Sequence, residues 1–142
     1  MSDDDVLTGG CLCRAVRYEA RGEPLYSGHC YCADCRKVSG SGFIPFFAFL
    51  ADQVMRSGET FAYMATGRNG GKAIRHHCKV CGGLVFGTGE SGPDFRIYAG
   101  SLDDLSRFHP TIAIFTEDRP EWAMIPEGLA VFKAGPPMRG PE

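Results

Sequence analysis

The chain is 142 residues long, with 44% hydrophobic and 23% charged residues, which allows one globular domain with its own core and excludes a disordered or collagen-like polymer. A formal net charge of -2 at pH 7 lacks the basic excess with which nucleic-acid binders displace counterions, and the longest apolar run, residues 43–51 with Pro45 inside it, cannot cross a bilayer as a helix. Nucleic acid and membrane are therefore not expected as partners. The acidic start Met1-Ser2-Asp3-Asp4-Asp5, where an export signal would be basic and then apolar, points to the cytoplasm.

In chain order, residues 1–5 read as a disordered acidic start, 6–134 as one domain and 135–142 as a Pro/Gly-rich tail. Glycine (19) and proline (9) punctuate short apolar or alternating segments, the pattern of a mainly β domain with little helix. The first expected strand is 15–20, where Val16 and Tyr18 alternate with Arg17 and Glu19 to give one wet face. Strands at 25–29 and 43–50 follow; the second is apolar on both faces, and Pro45 argues for an edge or a bulge. Further strands are expected at 61–65, 72–77, 84–88, 95–99, 111–115 and 130–133. Short helical turns are expected after Cys35 and over 101–107, Pro93, Pro110, Pro120 and Pro126 read as turn residues, and Trp122 reads as a core or edge anchor.

All seven cysteines have a C-x-C or C-x-x-C neighbour: Cys11 and Cys13; Cys30, Cys32 and Cys35; Cys78 and Cys81. An odd count without an export signal argues against a disulfide framework and for metal chemistry. Tetrahedral zinc needs sulfurs less than roughly 4 Å apart, which one strand or one tight turn can supply. On a strand, Cys11 and Cys13 share a face, while Cys78 and Cys81 form a knuckle whose N–H groups are turned by Gly82-Gly83. The two distant pairs make a closed structural site, Cys11, Cys13, Cys78 and Cys81, that ties a long loop. Cys30, Cys32 and Cys35 come from one short segment and leave a fourth position open, the mark of a catalytic site. Two zinc ions are thus expected, one structural and one catalytic.

Three thiolates blunt the Lewis acidity of zinc, so an open site of this kind suits a thiol substrate better than hydrolysis. Arg36 and Lys37 are the candidate cosubstrate-binding cations beside it. The rival reading is a non-catalytic zinc scaffold or interaction module in which His29, His76 or His77 completes the second tetrahedron. For each histidine, His109 included, ordinary packing is the default. A thioredoxin-like relay lacks its βαβ context.

The motif order Gly9-Gly10-Cys11-Leu12-Cys13, Val16-Arg17-Tyr18, His29-Cys30-Tyr31-Cys32-Ala33-Asp34-Cys35-Arg36-Lys37-Val38-Ser39-Gly40 and Cys78-Lys79-Val80-Cys81-Gly82 resembles the glutathione-dependent formaldehyde-activating enzyme and centromere protein V-like family. Gly100-Ser101-Leu102-Asp103, Pro120-Glu121-Trp122 and Pro126-Glu127-Gly128-Leu129 extend the likeness over nearly the whole chain. The resemblance implies a zinc-bearing, mostly antiparallel β fold shared with methionine sulfoxide reductase B and a Rab-exchange chaperone. It matches Cys11, Cys13, Cys78 and Cys81 to structural ligands, and Cys30, Cys32 and Cys35 to the zinc associated with glutathione. The implied activity joins a small carbonyl such as formaldehyde to glutathione, a carbon-sulfur lyase reaction in reverse. Arg14 departs from relatives, which often have glycine after the second cysteine.

Overall fold

The computed structural model describes residues 5–67, 70–89 and 94–136. The expected acidic start apart from Asp5, Pro93, and the tail from residue 137 lie outside the described residues. Short apolar segments broken by glycine and proline form β1 (Val6–Gly10), β2 (Arg17–Arg21), β3 (Tyr26–Cys30), helix α1 (Ala33–Ser39), β4 (Ile44–Leu50), β5 (Val54–Ser57), β6 (Thr60–Thr66), β7 (Lys72–Cys78), β8 (Leu84–Gly89), β9 (Asp94–Tyr98), β10 (Ile112–Ile114) and β11 (Ala130–Val131). The architecture is mainly β and mostly antiparallel. A three-stranded sheet runs β1-β2-β5, and an eight-stranded sheet runs β11-β10-β3-β4-β9-β8-β7-β6, parallel only where β10 meets β3 and β11.

The small sheet packs on one face of the large one. Leu7, Val16, Tyr18 and Ala20 meet Phe47, Phe49, Val85, Phe86, Phe95 and Ile97 there; each large side chain so buried stabilises by about 1.5–3 kcal/mol. On the opposite face, Phe46, Ala48, Ile44 and Ile114 gather with Cys30 and Cys35 beneath α1 and the C-terminal segments. Because successive side chains of a strand alternate between faces, β4 is buried on both, as its unbroken apolar run requires.

Four expectations are corrected. β4 is interior, between β3 and β9; Pro45 is tolerated because it pairs with His29 of β3, while pairing with β9 starts only at Phe46. Trp122 is 72% exposed, its ring lying over Gly42 at the surface. The helix expected over 101–107 is two 3-10 turns, Ala99–Ser101 and Leu105–Arg107, while the turn after Cys35 belongs to α1, which starts earlier. The strand expected over 111–115 ends at Ile114, since Phe115 turns left-handed at φ 54.

Candidate metal centre and its cavity

Cys11 and Cys13 follow β1 in a tight turn rather than on a strand, as spacing alone had suggested. The Arg14 N–H donates to the Cys11 carbonyl at 3.1 Å and the Cys11 N–H to the Val16 carbonyl at 3.1 Å, with Arg14 left-handed at φ 70. That conformation costs a residue bearing a Cβ about 1–2 kcal/mol, a physical reason for glycine at this position. The second half is the expected knuckle. The Val80 and Cys81 N–H groups donate to Cys78 Sγ at 3.2 and 3.4 Å, and Gly83 N–H donates to Cys81 Sγ at 3.4 Å. Gly82 makes the turn at φ 77.

The turn and the knuckle bring four sulfurs together within 4.8 Å of one another, with Cys11–Cys13 and Cys13–Cys78 both at 3.7 Å. Tetrahedral zinc with bonds of about 2.3 Å asks for this spacing, and the donor set fits the ion. The thiols also compete for protons. Cys11 is drawn down to about 6, because N–H and S–H donors from Val16, Cys78 and Cys13 overcome a burial effect that would raise it; Cys13 is pushed up to about 11 despite a backbone donor. A dication relieves that competition.

The second cluster is local. Cys30 ends β3, Cys32 caps α1 with Sγ accepting from the Cys35 N–H at 3.2 Å, and Cys35 lies in the first turn. Their sulfurs also lie within 4.8 Å of one another, and no fourth His, Cys, Asp or Glu donor among the described residues joins them. Cys30 and then Cys35 hold the Cys32 thiol well below its ordinary value, and Cys30 is raised in return. Three thiolates at one point suit zinc, with one coordination position left for an outside ligand.

The three cysteines border a cavity of about 320 Å³ that also takes in Asp34, Lys72, Arg75, Gly87, Arg96 and Tyr98. Arg75, only 7% exposed, donates to Cys35 Sγ at 3.9 Å. Burial pushes the Tyr98 hydroxyl above its usual range. Arg36 and Lys37 lie on α1 and are not among the cavity-lining residues; the cations that line it are Lys72, Arg75 and Arg96. Sequence reading missed these, though a charged residue inside the apolar run Phe95-Arg96-Ile97 is a signal for one of them.

No histidine joins either cluster. His29 stacks on Phe43 at 4.2 Å, and His76 sits between Thr60 and Thr88 at 3.1 Å from each. His77 faces the Gly82 carbonyl at 3.3 Å and His109 is exposed.

The protein is thus a two-sheet, mostly antiparallel β domain with four thiols gathered on one face and three at a cavity on the other, each group placed so that it could hold a metal ion. The chain belongs to the glutathione-dependent formaldehyde-activating enzyme family, whose model matches residues 6–118. That family acts on formaldehyde with glutathione. No curated protein matches the chain. The crystal structure of a Rhodobacter sphaeroides protein is similar to it at 18% identity and a TM-score of 0.53, over 88% of this chain and 98% of that one, a likeness of fold. No helix among the described residues is long and apolar enough to cross a membrane.

Proposed function

We propose that this protein is a zinc-dependent enzyme of the carbon-sulfur lyase type, adding glutathione to formaldehyde or a similar small carbonyl and releasing it in reverse. The observation that carries the reading is the three-thiolate cluster with no fourth protein donor, opening onto a cavity. Zinc bound by Cys30, Cys32 and Cys35 would supply a low-pKa site for an incoming thiol. The clamp of Cys11, Cys13, Cys78 and Cys81 would hold a second, structural ion. The remaining steps belong to the chain. Arg75 offsets the negative charge of the thiolates beside it. Tyr98 lines the same cavity with its hydroxyl protonated, and donates to the carbonyl oxygen as that oxygen gains charge. The incoming thiol gives up its proton, a carbon-sulfur bond forms, the C=O π pair moves to oxygen and takes the phenolic proton, and the proton released by the thiol restores the Tyr98 phenol; release reverses each transfer. All seven cysteines are free thiols, as a reducing cytoplasm would keep them.

The test is formaldehyde–glutathione exchange followed by two-dimensional NMR, with metal analysis on the same sample. The expected result is two zincs per chain, exchange faster with protein than without, and a loss of about 100-fold in Tyr98→Phe with metal content unchanged. Exchange at the uncatalysed rate from a protein holding two zincs would overturn the reading.

A further inference from the structure

Beside the three cysteines, the cavity is lined by Lys72, Arg75 and Arg96 and by Asp34 and Asp94. In the register of the large sheet, Arg75 of β7 faces Gly87 of β8, and Gly87 faces Arg96 of β9. The three therefore form one row across adjacent strands on the cavity face, with the two arginine backbones roughly 10 Å apart. Gly87 puts no side chain between them, and the Tyr98 hydroxyl takes the space where a Cβ would stand. Arg75 is nine-tenths buried, yet its Nε has no partner and its hydrogen bond goes to a sulfur at 3.9 Å. A guanidinium offers five N–H donors, and a buried one left so poorly matched is costly. Arg96 reaches no cysteine. One of its N–H groups donates to Tyr26 Oη at 3.0 Å and its plane lies over Phe46 at 5.1 Å, which holds the fork in place with donors to spare. Lys72 stands at the rim, donating to Thr66 Oγ1 at 2.7 Å. Asp34 and Asp94 also line the cavity, but among the described residues neither forms an ion pair with these arginines.

We propose that the Arg75–Gly87–Arg96 row is a carboxylate subsite, so that the thiol accepted by this cavity must carry a carboxylate within one small molecule's length of its sulfur. The inference rests on the thiol reading of the three-cysteine cluster and adds the part of the substrate that is recognised away from the reacting atom. The planar fork of arginine matches a carboxylate in two parallel hydrogen bonds, and the partly enclosed site strengthens them. Thiolate charge accounts for Arg75 alone; an external anion accounts for both.

Isothermal titration of the zinc-loaded full chain with glutathione and three further probes tests this. S-methylglutathione keeps the carboxylates and lacks a free thiol; 2-mercaptoethanol has the thiol and no carboxylate; glutathione dimethyl ester has the thiol with its carboxylates masked. Wild type is expected to bind glutathione at least about 10-fold more tightly than the diester. Arg96→Gln should weaken S-methylglutathione about 10-fold and leave 2-mercaptoethanol unchanged. Equal affinity of wild type for glutathione and its diester would overturn the subsite, whatever the fate of the variant. Wild type that binds S-methylglutathione but neither free thiol would sustain the subsite and sink the thiol reading.

Discussion

The two cysteine clusters present the same donor atom in opposite settings. One joins a turn after β1 to a knuckle after β7, with Cys13 and Cys78 sixty-five positions apart in sequence, and part of it is open to solvent, Cys13 being exposed. The other lies within six residues of chain, with Cys30 and Cys35 only 5% and 7% exposed, on the other face of the large sheet. Burial alone would rank the second as the structural site. Under the proposed function chain separation reverses that ranking: an ion closing a long loop would contribute to folding, whereas an ion held by one turn would close almost nothing and be free to serve a ligand.

The sharpest way to break this contrast is to remove one sulfur from each. Cys81→Ser should cost about 5 kcal/mol or more, giving a chain that is unfolded or aggregated at room temperature by circular dichroism. Cys32→Ser should change stability by less than about 2 kcal/mol while abolishing the response of the bound metal to glutathione. Equal losses of folding in the two variants would erase the distinction.

A smaller effect concerns the sheet on the clamp side. Burial first, then Arg56 and His77, lowers the pKa of His76 to about 4. The unfolded chain takes up the proton more readily, so the stability from keeping this ring neutral is complete above about pH 6.5 and is lost as pH falls toward 4, by up to about 3 kcal/mol. Urea unfolding at pH 7 and pH 4.5 should show a shallower decline for His76→Gln than for wild type; parallel declines would exclude the ring as the source. Smallest is Arg14→Gly in the clamp turn. Relieving the left-handed backbone should raise stability by about 0.5–1 kcal/mol in a thermal melt, with zinc content unchanged. A fall in melting temperature would mean that the Arg14 side chain contributes more than its backbone costs.

Much of the framework is legible without coordinates. The alternation Val16-Arg17-Tyr18-Glu19 announces β2, and the apolar run after residue 43 announces a strand covered on both faces. Two strands escape. β1 ends in Gly9-Gly10, and those glycines are needed because Tyr18, Ser101 and the Val16 carbonyl crowd where side chains would stand. β5 is a four-residue strand with Met55, Arg56 and Ser57 exposed, too short and too wet for a periodic signal. Cys32 as the cap of α1 is equally hidden, because its sulfur acts in place of the usual oxygen.

Local chemistry thus determined the thiol pairs, their grouping into four and three, and the mainly β class, since ligand spacing and strand period are properties of neighbouring residues. Only the tertiary structure decided that the two groups lie on opposite faces, that no histidine completes the smaller one, and that Arg75, Arg96 and Tyr98 rather than Arg36 and Lys37 line its cavity. Those facts depend on which strands pair and in what register, a long-range outcome of packing that no single stretch of sequence encodes.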